Sequence, residues 1–287
     1  MQGKIAVVTG GNSGIGLATV IGLAQQGARV VMVARSREKG EAALAEAQKA
    51  AGSRAIQLML CDLAVQADIR RFAAELLAQH PTIDVLVNNA AIIPPTRTLT
   101  PDGLEMQFAV NHLSYFLLSH LLLDAITAAP QGRIVNVSSL AHEQGILDFD
   151  DLQHEKRYHM ASFPVAGWQA YANTKLMNIL FTRELARRLA GTRVTTNALH
   201  PGIIATNLTR TVPRWFNILF RLVGTKPTKG AETSLYLATG RAGGETTGGY
   251  FAAQKPARIA PAGLDDAAAA RLWAESARLA RVEAVTA

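Results

Sequence analysis

Tyr171 and Lys175 stand four apart in the run Tyr171-Ala172-Asn173-Thr174-Lys175, and no other of the five tyrosines is followed by such a lysine. On a helix this spacing stacks the two side chains on one face, a turn apart. A nearby ammonium favours phenolate over phenol, so the pair suits a phenol that must give and take a proton near neutral pH. Free tyrosine titrates near ~10, and a two-unit drop asks for roughly 2.7 kcal/mol of differential stabilisation, within reach of a poorly solvated cation. The same spacing also occurs on solvated helix faces, where it does no chemistry. What decides between these readings is what the rest of the chain places beside the pair.

The chain opens as strand, turn and helix. Lys4 to Thr9 is an apolar, β-rich run, followed by Gly10-Gly11-Asn12-Ser13-Gly14-Ile15-Gly16 and an amphipathic stretch that ends at Gln26 before Gly27. Glycines here let the backbone approach a pyrophosphate, and the unpaired amides of the helix start face its charge. Glycines also make ordinary tight turns, so the position between a first strand and a helix carries the argument. Arg29 to Ala34 is a second strand, and the residues just past it would meet the adenosine ribose of a dinucleotide. They read Arg35-Ser36-Arg37. An acid there would hold the ribose hydroxyls of NAD(H), whereas guanidinium groups clamp the extra phosphate of NADP(H), so NADP(H) is the expected cofactor. The alternative is that Arg37 only decorates the next helix.

Further along, a helix over Glu38–Ala51 and a strand over Arg54–Leu60 lead to Cys61-Asp62-Leu63, where an adenine ring would lie. Asp62 either accepts from the adenine amino group or caps the following helix. That helix runs to Gln79, and a strand over Ile83–Val87 delivers Asn88-Asn89-Ala90-Ala91. The two amides read as architectural, tying strands together beside the cofactor. A long helix is expected from Pro101 to about Thr127; it contains Asn111, an amide that in mid-helix usually serves the local backbone. Gly132–Val137 is a strand ending in Ser138-Ser139, on the edge where open α/β sheets bind ligands, which puts a hydroxyl near Tyr171.

The remainder gives a strand over Arg193–Leu199, a helix over Lys229–Thr239 and a short last strand at Gly248–Phe251. A terminal helix is expected over about 264–280, with Leu264, Leu272, Trp273 and Leu279 on one face. Between Thr206 and Val223 the apolar, aromatic centre Pro213–Val223 reads as a substrate lid (about 205–226), as core packing, or as shallow membrane contact. The segment with Tyr158, His159, Met160 and Phe163 is a candidate opposite wall.

Composition narrows the class. With 287 residues and 49% hydrophobic side chains the chain can bury one full α/β core, and no linker divides it, so residues 1–287 read as a single domain. Leu113 to Leu123 is the longest apolar run; it carries Ser and His and cannot span a bilayer. No export signal is expected at the N-terminus, and a lone Cys61 fits a reducing cytoplasm. The net charge of +7 is scattered among acids instead of forming a basic run, and no aromatic RNA platform or zinc spacing accompanies it. Neither nucleic acid nor a metal is expected.

Thr9-Gly10 with Gly14 and Gly16, Asn88-Asn89-Ala90, Asn111, Ser139, Tyr171 with Lys175, and Pro201-Gly202 occur in the order and surroundings of the short-chain dehydrogenase/reductase family. The resemblance runs from Lys4 to about Leu279. Longer stretches, Arg133 to His142, Phe181 to Leu189 and His200-Pro201-Gly202, resemble the retinol dehydrogenase-like branch, as does the long interval from Ser139 to Tyr171. The start of the chain departs from the anchored animal members of that branch. The resemblance implies one doubly wound Rossmann-type domain with a seven-stranded parallel sheet ordered 3-2-1-4-5-6-7 and helices on both faces.

It also implies roles. Tyr171 would donate or accept the proton, Lys175 would lower its pKa and hold the nicotinamide ribose, Ser139 would bond the reacting oxygen, with Ser138 as fallback, and Asn111 would anchor a water of the relay. The motif from Pro201 to Thr206 would touch the nicotinamide through the Ile203 backbone and the Thr206 hydroxyl. Dimers or tetramers are common in the family. The expectation is an NADP(H)-preferring oxidoreductase interconverting carbonyl and alcohol on an apolar substrate. Its rivals are a dinucleotide-sensing binding protein without turnover and a C=C reductase, in which the tyrosine would protonate carbon.

Overall fold

Four consecutive apolar residues, Ile5 to Val8, without polar alternation mark a strand covered on both faces, and Ile5–Thr9 (β1) is buried along its whole length. The structure, a computed structural model, describes residues 1–156, 158, 167–202 and 226–283. Around β1 lie β2 (Arg29–Ala34), β3 (Ile56–Leu60), β4 (Val85–Asn88), β5 (Arg133–Val137), β6 (Thr195–His200), β7 (Tyr250–Ala252) and β8 (Lys255–Pro256). They form one sheet in the order β3-β2-β1-β4-β5-β6-β7-β8. The first seven are parallel, and the order reverses between β1 and β4, which opens a crevice at the carboxyl ends of those strands.

The expected seven-stranded sheet is therefore corrected to eight, because β8 folds back antiparallel on β7. Ala253 and Gln254 turn the hairpin with φ of 48° and 63°, a left-handed pair usually written with Asn or Gly. Lacking those residues, the turn leaves no trace in the sequence.

Side chains of one strand alternate between two cores. Ile5 and Val7 join Val31, Val33, Phe72, Phe116, Leu180 and Trp273 on one face. Ala6 and Val8 join Val20, Leu23, Met32, Leu199 and Phe251 on the other. The helices are α1 (Gly14–Gln25), α2 (Arg37–Ala51), α3 (Gln66–Gln79), α4 (Ser114–Leu121), α5 (Leu123–Thr127), α6 (Trp168–Arg188), α7 (Pro227–Thr239), α8 (Arg241–Glu245) and α9 (Asp266–Ala280). Phe116 meets the Trp273 ring edge-on at 4.8 Å, which fastens α9 to the body.

Two helix expectations need correction. The segment expected to be helical from Pro101 first makes a turn closed by the Leu99–Glu105 bridge. The fully buried Glu105 carboxylate then accepts from the Gln107 and Phe108 amides at 2.9 and 2.7 Å, and a wide π turn runs over Phe108–Leu113 before α4. Leu264 is not on the terminal helix: it ends a short 3₁₀ turn and is 50% exposed, because Asp265 caps α9 by accepting from the Ala268 amide at 2.9 Å.

Candidate active site

Most of α6 is buried, so its polar residues need partners inside the protein. Ser138 donates to the Lys175 carbonyl at 2.8 Å, Thr174 to the Tyr171 carbonyl at 2.8 Å, and the Asn173 amide both donates to and accepts from Ile146, at 2.6 and 2.8 Å. The bonds of Ser138 and Asn173 fix the helix against the end of β5 and the loop beyond it, and that of Thr174 stays within the helix. Tyr171 and Lys175 then face the carboxyl edge of the sheet together.

Lys175 is 1% exposed, its Nζ donates to the Val137 carbonyl at 2.9 Å, and no carboxylate pairs with it among the described residues. The ammonium lies 5.3 Å from the Tyr171 ring centroid and 5.9 Å from that of Tyr115. Burial pulls its pKa down to about 7. Burial likewise pushes the Tyr171 phenol up to about 12, opposed by the neighbouring Ser139 hydroxyl. This corrects the expected acidified phenol: Lys175 is adjacent, but desolvation decides the direction, and Tyr171 holds its proton at neutral pH.

Ser139, the second of the serine pair, is the one beside Tyr171, and Ser138 serves the helix backbone. Ser139 caps the turn Leu140–Gln144, its Oγ accepting from the Ala141 amide at 3.2 Å. Its carbonyl accepts from His142 Nδ1 at 2.7 Å, and His142 Nε2 accepts from the Ala260 amide at 3.2 Å, which fixes the tautomer. His200 Nδ1 accepts from the Leu140 amide at 3.4 Å; burial, then the neighbouring His142, lowers its pKa to about 4.

Asn111 sits in the π turn with its amide committed on both sides to Ile92, accepting from the Ile92 amide at 2.8 Å and donating to the Ile92 carbonyl at 2.9 Å. The side chain thus clamps the segment after β4.

The glycine turn meets the same segment. Asn89 donates to the Thr9 carbonyl at 2.8 Å, and Thr9 Oγ1 accepts from the Asn89 and Ala90 amides at 2.9 and 3.1 Å. Asn88 joins β4 to β5 through Asn136 at 2.9 Å. Both amides tie neighbouring strands together. Gly10 has φ of +64°, and a Cβ on it would come within 3.0 Å of the Ala90 Cα. A Cβ on Gly16 would lie 2.2 Å from the Gly10 carbonyl oxygen. Asn12, Ser13, Gly14 and Ile15 are half-exposed, and no acid occupies the first turn of α1. Arg35 and Arg37 are exposed just beyond β2, with Arg37 3.5 Å from Glu41. Asp62 accepts from the Ala64 amide at 3.0 Å and does not cap α3, which Val65 precedes; Leu63 is buried beside it. Pro201 and Gly202 follow β6, whereas Ile203, Thr206, the expected lid and the wall residues His159, Met160 and Phe163 lie outside the described residues.

The sequence pattern of the short chain dehydrogenases matches residues 4–149 and 159–217. Human retinol dehydrogenase 13 is 40% identical over 292 residues, covering 99% of this chain and 86% of its own length. The chain belongs to the short-chain dehydrogenase/reductase family, in its retinol dehydrogenase-like branch. Among solved structures, an uncharacterized Mycobacterium paratuberculosis protein superposes with a TM-score of 0.80 at 34% identity, over 99% of this chain and 95% of its own. The Pseudomonas aeruginosa RhlG/NADP active-site complex does so with 0.69 at 26%, over 88% and 95%. As a member of the family the chain is an oxidoreductase, and the family works with nicotinamide dinucleotides.

The residues present fit such a cofactor. The closed space at Gly10 and Gly16 excludes any side chain from the turn, which leaves backbone amides to meet a pyrophosphate. Among the described residues no three His, Cys, Asp or Glu side chains converge to hold a metal ion, and no helix is long and apolar enough to cross a membrane.

Several contributors escaped the sequence reading. Tyr115 donates to the Ala90 carbonyl at 2.9 Å while its ring flanks Lys175, so it links the glycine turn's neighbour to the ammonium. Nothing in its spacing marks it. His142 and His200 show no metal pattern, and their role as neutral acceptors depends on backbone amides distant in sequence.

Proposed function

We propose that this chain interconverts a carbonyl and an alcohol on an apolar substrate with NADP(H), using Tyr171 as proton donor and acceptor. The observation that carries the reading is Tyr171 and Ser139 side by side, next to a buried ammonium that no carboxylate neutralises among the described residues. Bound NADPH supplies the hydride. Negative charge then grows on the substrate oxygen, where Ser139 and Tyr171 both offer hydrogen bonds. A phenol with its pKa near 12 arrives protonated and passes that proton to the oxygen, while Lys175 stabilises the phenolate left behind.

Gly10, Asn12, Ser13, Gly14, Ile15 and Gly16 would hold the pyrophosphate, Asp62 and Leu63 the adenine side, and Asn89 and Ala90 the floor of the crevice. Arg35 and Arg37 would hold the 2′-phosphate, a reading supported by their exposure at the end of β2 and by the NADP complex of the RhlG relative. An apolar substrate is supported by the retinol dehydrogenase relative and by Leu140 and Ile146, 45% and 66% exposed on the loop after Ser139.

The test is NADPH oxidation across lipophilic aldehydes and ketones, retinal included, followed by Tyr171→Phe. Turnover of at least one carbonyl is expected, with kcat falling ~10²-fold or more in the variant while NADPH affinity stays within about twofold. A variant with normal rates removes Tyr171 from the chemistry. Tight NADPH binding without turnover of any carbonyl favours a sensing role.

A further inference from the structure

Asn178 follows Tyr171 by seven residues and Lys175 by three, which places all three on one face of α6. It is fully buried. A buried amide is costly unless it is bonded, and an apolar residue could fill the same space, so its partners state its purpose. Its Nδ2 donates to the Asn111 carbonyl at 2.9 Å and reaches the Val137 carbonyl at 3.5 Å. The Val137 oxygen is the same one that accepts from Lys175 Nζ at 2.9 Å. One acceptor at the end of β5 therefore serves two donors from α6. The Asn111 carbonyl lies in the π turn, a wider winding that recurs at functional sites. Its Oδ1 lies near His112 without a hydrogen-bond partner among the described residues, and His112 Nε2 lies 2.9 Å from Ser276 Oγ on α9. The amide thus joins α6, β5 and the π turn within reach of the ammonium.

We propose that Asn178 is a positioning residue: by sharing the Val137 carbonyl with Lys175 and tethering the Asn111 carbonyl, it sets where the ammonium stands beside Tyr171. Its effect on rate rests on the reaction proposed above; its effect on the ammonium does not. A shift in the shared oxygen moves the cation relative to the phenol, so the loss falls on the chemical step and leaves substrate binding nearly untouched.

The test uses the full chain with Asn178→Leu, Asn178→Asp and, as a control at the far end of the polar cluster, Ser276→Ala. Lysines labelled at Cε report the ionisation of Lys175 by NMR in the cofactor-free protein, its signal identified by loss in Lys175→Met. Asn178→Asp, of nearly the same shape, sets a carboxylate beside the ammonium and should raise the Lys175 midpoint by about one pH unit or more. Asn178→Leu should lower kcat about tenfold with KM for the aldehyde within about twofold, the scale of one lost hydrogen bond. Ser276→Ala should lower Tm and move neither readout.

The proposal is overturned if Asn178→Asp leaves the midpoint within about 0.3 unit of wild type. It is equally overturned if folded Asn178→Leu keeps the wild-type kcat and pH profile. Should Asn178→Leu not fold, the Asn178→Asp titration decides alone. A moved midpoint in a protein that reduces no carbonyl keeps the positioning role and rejects the reaction.

Discussion

The Lys175 ammonium lies 5.3 Å from the centroid of the Tyr171 ring, and both side chains are buried, one at 1% and the other at 7% exposure. A cation in that position is unfavourable for folding, since one carbonyl contact replaces full hydration. Under the proposed function its place is explained by the stabilisation it would give the Tyr171 phenolate.

Lys175→Met should therefore abolish turnover and stabilise the fold. The folded pKa of about 7 lies below the unfolded value, so the unfolded state binds the extra proton between pH 7 and about 10.4. Wild-type stability accordingly rises with pH through that window. The gain in Tm from Lys175→Met should be largest at or below pH 7, a few degrees or more, and fade towards pH 10, as followed by calorimetry. A variant less stable than wild type at pH 7 contradicts the assignment.

Gly16→Ala forces a methyl to within 2.2 Å of the Gly10 carbonyl oxygen, a backbone atom that cannot rotate away. The turn must shift. NADPH affinity, read by fluorescence titration, should fall tenfold or more (about 1.4 kcal/mol), with a lower Tm in the cofactor-free protein as well. Affinity equal to wild type would separate this turn from the pyrophosphate.

The strands were legible because parallel strands covered on both faces read as continuous apolar runs, as Ile5–Val8 and Val30–Ala34 do, whereas the order of the sheet was implied by the family resemblance. The eighth strand was not, since Ala253-Gln254 makes a left-handed turn without the residues that announce one. The pairing of Tyr171 with Ser139 followed from placing each at the edge of the same sheet. The direction of the Tyr171 shift did not follow, because spacing reveals a nearby charge and says nothing of how little water remains around it. The late start of the helix before Asn111 depends on the buried Glu105 carboxylate, whose partners are set by the fold.

Arg35→Ala should weaken NADPH binding by roughly tenfold and Arg37→Ala by less, both leaving NADH nearly unchanged, as judged from dissociation constants at fixed ionic strength. Arg37 already faces Glu41 at 3.5 Å on the surface, so its loss should cost less than that of Arg35. Equal loss for both cofactors moves these residues from selectivity to general attraction.

Acid should destabilise the protein well above the range where carboxylates protonate. His112 is fully buried, and desolvation, opposed by the Asn178 amide, holds its pKa at about 4. The unfolded ring titrates near ~6.5, so the unfolded state takes up the proton first, and stability falls as pH drops from 6.5 to 4. His112→Gln should be less stable at pH 8 yet lose less on acidification, its slope smaller by up to about 1.4 kcal/mol per pH unit in urea titrations. An unchanged slope shows that the ring is not the titrating group.

His142 joins the Ser139 carbonyl to the Ala260 amide, so a group that would bond the substrate oxygen is braced by chain far downstream of it. A nascent polypeptide that has emerged only as far as β7 carries Ser139, Tyr171 and Lys175 but not the brace. Assembly of the crevice therefore waits for the chain beyond β8, and a protease that nicks the stretch between β8 and α9 would remove the brace while leaving Ser139, Tyr171 and Lys175 in place.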